Sequence, residues 1–166
     1  MKLVARVLAL AFLLSGIAAA SLWAQQRADA ERVKQRLIGS YKLVSYTSYD
    51  QNGVATKLPY SVGQISYDAA NRMSAQLVRD DRPTTTPRTE AERAAAYGSI
   101  ISYFGRYEID AEKSIVTHHV EGSISPSMVG QGMPRHYELT PDGATLFLSV
   151  KNGERVTGRL QWDRHK

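Results

Sequence analysis

The stretch "THHVEGS", residues 117–123, puts two histidines side by side and a glutamate two residues after the second. On a β-strand, neighbouring side chains point to opposite faces. His118 and His119 therefore cannot share a task, whereas Thr117, His119 and Glu121 share a face. Histidine titrates near neutrality, and a nearby carboxylate fixes its tautomer and raises its pKa, so this pair could do acid–base work. A metal site needs three or four convergent ligands. Here His136 is the one further candidate, there is no cysteine and no multi-histidine motif, and neither a metal nor another cofactor is expected. There is also no nucleophile elbow, catalytic triad pattern or phosphate-binding glycine loop.

The flanking segments offer more polar groups at period two. In "RMSAQLVR" Met73, Ala75, Leu77 and Arg79 share a face, in "YFGRYEID" Tyr103, Gly105, Tyr107 and Ile109, and in "RHYEL" Arg135, Tyr137 and Leu139. One consistent assignment turns Met73, Leu77, Arg79, Tyr107, His119, Glu121, Arg135 and Tyr137 inward. That is an apolar cavity with a few polar groups, the usual make-up of a small-molecule site. An inward arginine needs an acidic partner or an anionic ligand, because an unpaired buried guanidinium is costly. Glu121 could be that partner; otherwise a ligand carboxylate suits the planar fork of donors.

The elements that would carry these residues are mostly strands. "GSYKLVSYTSYD" from Gly39 is rich in β-branched and aromatic residues and alternates. "GQISYD", "RMSAQLVR", "ISYFGRYEID", "SIVTHHVEGS", "RHYEL", "ATLFLSV" and "RVTGRLQWDR" follow, most of them joined by short turns. Asn152-Gly153 is a strong hairpin signal, read as a turn with both central residues at positive φ. Between the third and fourth of these eight strands, a loop broken by Pro83 and Pro87 leads into "TEAERAAAYGSI". There Thr89 and Glu92 form a capping box ahead of an alanine run, which predicts a helix. Residues 27–38 carry Ala30, Val33 and Leu37 at helical spacing and predict a short helix before the first strand. About eight antiparallel strands in sequence order are best freed of exposed edges by closing into a barrel.

The first residues read separately. Lys2 and Arg6 precede an uncharged apolar run from Val7 to Trp23, with small residues at Ala18, Ala19, Ala20 and Ala24. This is the layout of a secretory signal peptide cleaved after Ala20 or Ala24. The resulting division is residues 1–24 signal peptide, 25–36 helix and linker, and 37–166 barrel, with export to a periplasmic or secreted location and no stable membrane insertion after cleavage. With no cysteine, the exported domain cannot use disulfides and must rely on its core. Of 21 basic residues two lie in the leader, so 19 face 16 acidic ones, without a basic run. Nucleic acid is therefore not an expected partner.

The opening "GSYKLVSY" resembles the first strand of lipocalins and fatty-acid-binding proteins, with Tyr41 where those barrels carry a tryptophan. The ordered pieces "MSAQLVRDDRP", "YFGRYEID", "VTHHVEGS", "RHYEL" and "GRLQWDR" resemble the bacterial and fungal lipocalin-like domain family of the calycin superfamily, over about residues 37–164. The resemblance implies a barrel with room for a pocket; together with the elements read above, the expected fold is an all-β, up-and-down barrel with one inserted helix and a short N-terminal helix. It implies that Trp162 and Arg159 belong to the closing end of the barrel. The expected function is binding of a small, mainly apolar or amphiphilic ligand, with an anionic one suited to the arginines. Two alternatives stand beside it: a barrel enzyme of isomerase or cyclase type using His119 as acid/base, and a filled-core envelope interaction module.

Overall fold

Turn chemistry and alternating apolar residues set the chain path, seen in a computed structural model that describes residues 21–166. The signal-peptide reading falls chiefly on residues 1–20, outside the described residues. Residues 21–37 are helical (α1), so the predicted helix begins earlier than its apolar spacing suggested. Among the described residues no helix is long and apolar enough to cross a membrane.

Nine strands follow: β1 (Gly39–Tyr49), β2 (Ala55–Lys57), β3 (Tyr60–Tyr67), β4 (Arg72–Arg79), β5 (Ile100–Asp110), β6 (Ile115–Ser123), β7 (Gly132–Leu139), β8 (Thr145–Asn152) and β9 (Arg155–Arg164). From β3 to β9 each strand pairs antiparallel with the next, and β1 pairs with both β3 and β9. The ring is closed and has eight strands. β2 was not anticipated; it pairs only with the far end of β1, Tyr49 opposite Ala55, and stays outside the ring. The inserted helix α2 (Glu90–Gly98) carries the expected capping box: the Thr89 hydroxyl accepts from the Glu92 amide at 3.2 Å, and the Glu92 carboxylate accepts from the Thr89 amide at 3.0 Å.

The core is the inner face of the ring. Leu43, Ile65, Met73, Ala75, Leu77, Val116, Val120, Leu146, Leu148 and Leu160 fill it together with Tyr41, Tyr67, Tyr103, Tyr107 and Trp162. Each fully buried aliphatic side chain contributes about 1.5–3 kcal/mol. α1 closes one end by sinking Leu37 into the barrel, where the Tyr41 hydroxyl donates to the Leu37 carbonyl at 2.9 Å. Gly39, at φ +144°, lets Arg164 approach, since any Cβ there would collide with Arg164 Nη1. At the other end the β6–β7 connection, with one 3-10 turn at Pro126–Met128, overhangs the ring.

The last hairpin is tight, but its turn is shifted by one residue. Asn152 pairs with Arg155 as the final strand residue, so the turn residues are Gly153 and Glu154, and of these only Gly153 has positive φ, at +59°. A glycine at the first central position is the mark of a II′ turn rather than the expected I′ turn.

Candidate functional site

The interior is not completely filled. A cavity of about 200 Å³ is lined by Ile65, Leu77, Ile101, Leu148, Val150 and Leu160, by Tyr46, Tyr103 and Trp162, and by Arg135. Ser125 and Met128 of the β6–β7 connection complete the wall. The lining is largely hydrocarbon, with three hydroxyls, one indole and one guanidinium, and contains no carboxylate.

Below this cavity lies a buried polar cluster. His118 on β6 is fully buried, and both its ring nitrogens meet tyrosine hydroxyls: Nε2 lies 2.7 Å from Tyr67 Oη and Nδ1 3.1 Å from Tyr103 Oη. Tyr67 comes from β3 and Tyr103 from β5, so three strands supply the cluster. Burial, then the Arg135 cation, then His119 push the His118 pKa down to about 3, so the ring is neutral at ordinary pH. Burial raises both phenols above their ordinary value.

Arg135 on β7 sits opposite Val116, whose side chain is fully buried, and so it faces inward. Its Nη1 donates to the Pro134 carbonyl at 2.9 Å, and its Nη2 makes a long contact of 3.6 Å with Met133 Sδ. Among the described residues it has no carboxylate partner. Its charge acts on Tyr46, Tyr67, Tyr103 and His118, and its guanidinium also hydrogen-bonds the Tyr103 hydroxyl.

The expected site residues divide into three groups. Leu77 and Arg135 line the cavity. Met73, Tyr107 and Tyr137 point into the barrel but pack in the core below the cavity; the Tyr107 hydroxyl donates to the Asp68 carbonyl at 2.8 Å, and burial, then the Asp68 charge, then Glu31 raise its pKa to about 12. Arg79, Glu121 and His119 do not face the cavity. Arg79 ends β4 at the rim and is held by Asp81 at 2.7 Å.

His119 and Glu121 require a correction: His118 is the inward histidine and His119 faces out. The alternation holds, but the apolar pair Val116 and Val120 lies on the face of His118 and takes that face into the core. The pairing steps from Phe104–Gly122 to Gly105–Val120, which leaves Glu121 as the extra, bulged residue of β6. Gly105 is required there, because a Cβ would collide with the His119 carbonyl oxygen. Outside, the Glu121 carboxylate accepts from Arg72 at 2.9 and 2.7 Å and from Arg106 at 3.0 Å, and these arginines, Arg72 first, hold its pKa below the usual value. Glu121 therefore pairs with neither Arg79 nor Arg135. His119 Nε2 lies 3.2 Å from Glu108 Oε2 but without hydrogen-bond alignment. Arg159 also lies on the outer wall, paired with Glu138 at 2.8 Å, while Arg164 packs at the closed end.

A family model described as a lipocalin-like domain matches residues 38–165. The chain belongs to the lipocalin-like domain family. No curated protein matches it. Among solved structures, a redesigned beta barrel matches at 11% identity over 80% of this chain and 95% of that one, with a TM-score of 0.39. A lipocalin-like barrel suits small-molecule binding in general.

The sequence does not point to His118, Tyr67, Tyr103, Tyr46 or Trp162 as site residues. Only for the first two is a signal present: Tyr67 follows Ile65 at period two, and His118 lies between Val116 and Val120. Among the described residues no group of three or more His, Asp or Glu is arranged to hold a metal ion.

Proposed function

We propose that this lipocalin-like barrel binds a small, mainly apolar ligand in its cavity and that it does so after export. The observation that carries the reading is Arg135, turned into an apolar cavity without a carboxylate partner among the described residues. A bound molecule would both fill the void and meet the charge. Size narrows the class. A void of about 150 Å³ takes benzene, whereas pockets for drug-sized ligands start near 300 Å³. At about 200 Å³ the cavity suits a single ring or a short chain, not a long-chain fatty acid. A filled-core interaction module would have no such void.

An acid–base reading is weaker. His119 lies outside, and both nitrogens of His118 are occupied by phenols. The test is a titration of the purified protein followed by tryptophan emission, with toluene, benzoate, octanoate and palmitate. Binding of the first three and exclusion of palmitate is expected. Palmitate binding without binding of the smaller molecules would sink the size argument. Export rests on Lys2, Arg6 and the alanine cluster, and N-terminal sequencing of the mature protein should start at residue 21 or 25. An intact Met1 on membrane-embedded protein would overturn it.

A further inference from the structure

We propose that the polar end of the cavity is a carboxylate subsite made by Arg135 and the Tyr103 hydroxyl, and that His118 holds Tyr103 as a donor toward the ligand; this rests on reading the cavity as a ligand site. The argument is an account of hydrogens. Tyr67 is 2% exposed, and its hydroxyl has one partner among the described residues, His118 Nε2 at 2.7 Å. A buried hydroxyl hydrogen left without an acceptor is unfavourable, so Tyr67 donates to Nε2. Nε2 is then the bare nitrogen. The neutral ring carries its proton on Nδ1, and Nδ1–H donates to Tyr103 Oη at 3.1 Å. The Tyr103 oxygen accepts from inside the wall, and its own hydrogen is left over. Tyr103 lines the cavity, so that hydrogen is available to whatever occupies it.

The other free polar groups agree in sign. Arg135 also donates toward the second lone pair of the Tyr103 oxygen, and it keeps donors beyond those spent on Pro134, Met133 and Tyr103. Trp162 is 1% exposed, lines the same cavity, and its Nε1 has no acceptor among the described residues. Apart from the Tyr46 and Ser125 hydroxyls, which can act either way, the cavity offers donors and positive charge. A carboxylate fits both, since it is acceptor-only and matches the guanidinium fork. The small apolar remainder of the cavity then takes its hydrocarbon body. Arg135 beside His118 also opposes a second proton on the ring, which keeps a single tautomer in place. His118 and Tyr67 act here as positioning residues, because neither lines the cavity.

The experiment compares benzoate, benzamide and toluene by calorimetry at neutral pH, alongside imidazole nitrogen NMR of the wild type. The NMR should show a protonated Nδ1 and a bare Nε2; the opposite tautomer overturns the proposal. Benzoate should bind at least about tenfold tighter than benzamide, the lower end of what a hydrogen bond to a charged group supplies. Arg135→Gln and Tyr103→Phe should each remove that preference and leave toluene binding in place. Tyr67→Phe, a milder change outside the cavity, should release the tautomer, let Tyr103 accept as well as donate, and so narrow the benzoate-to-benzamide ratio. An unchanged ratio in folded Tyr67→Phe overturns the positioning role. Equal binding of all three probes by wild type overturns the subsite while the cavity reading survives. Failure of all three to bind removes the cavity reading and the subsite with it.

Discussion

The Arg164 guanidinium lies over the Tyr41 ring, 4.6 Å from its centroid, and joins the last strand to the first. Its Nη1 donates to the Ile38 carbonyl at 2.7 Å, its Nε to the Gly143 carbonyl at 2.9 Å, and its Nη2 to the Arg36 carbonyl and the Tyr41 hydroxyl. One side chain thus ties the end of α1, the start of β1, the β7–β8 turn and β9. Arg164→Ala should lower stability by about 2–3 kcal/mol, the scale of losing hydrogen bonds to a charged group. Arg164→Lys should recover little of it, because a point charge cannot replace the planar fork. Urea unfolding of both variants decides this; a wild-type midpoint for the alanine variant would contradict it.

The two adjacent histidines should differ sharply. His118→Ala opens a hole in the barrel wall and strands two phenols, and should cost about 2–5 kcal/mol. His119→Ala, on the outer wall, should stay within about 0.5 kcal/mol. Melting temperatures of the pair are the measurement. Equal effects would mean that the wall is turned the other way.

Much of the fold was legible because its signals are local. Alternation, turn residues and the Thr89–Glu92 box each act within a few residues, and together they pointed to eight strands, the inserted helix and closure. Which face of β6 turns inward is not local. Thr117, His119 and Glu121 form as regular a set as Val116, His118 and Val120, and weight on the polar set chose the wrong face. The apolar set was the better guide, because burying two valines outweighs one histidine that finds partners. The partners themselves, Tyr67 and Tyr103, lie 51 and 15 residues away in sequence. Their meeting depends on the ring's register, which includes a bulge at Glu121 of β6 that nothing in the local pattern announces. Arg135 and Leu77 face the interior, in line with the alternation of their strands.

Acid should destabilise the protein through His118. Its folded pKa is lowered to about 3, against an ordinary 6.5 in the unfolded chain. Between those values the unfolded state binds the extra proton, so the stability is fully present above 6.5 and is lost as pH falls toward 3. The loss runs at up to about 1.4 kcal/mol per pH unit. Carboxylates with lowered pKa, Glu121 and Glu138 among them, add a loss in the same direction at lower pH. The window from pH 6.5 to 5 therefore isolates the histidine. Wild type should lose stability across it, and His118→Phe should show a much flatter profile. Parallel profiles would exclude His118 as the source.

The Gly153 turn offers a test free of packing. A Cβ at Gly153 would meet nothing within 4 Å, so a substitution there reports the backbone alone. At φ +59° an L-residue is strained by roughly 1–2 kcal/mol, and a β-branched one is the worst case. Gly153→Val should lower stability by about that amount, and Gly153→Asn, which tolerates this region, by less. Asn152→Val should cost little, because Asn152 sits in the strand opposite Arg155 and not in the turn. That last comparison separates the two hairpin geometries: if Asn152→Val were as damaging as Gly153→Val, both residues would have to occupy positive φ and the turn would be centred one residue earlier.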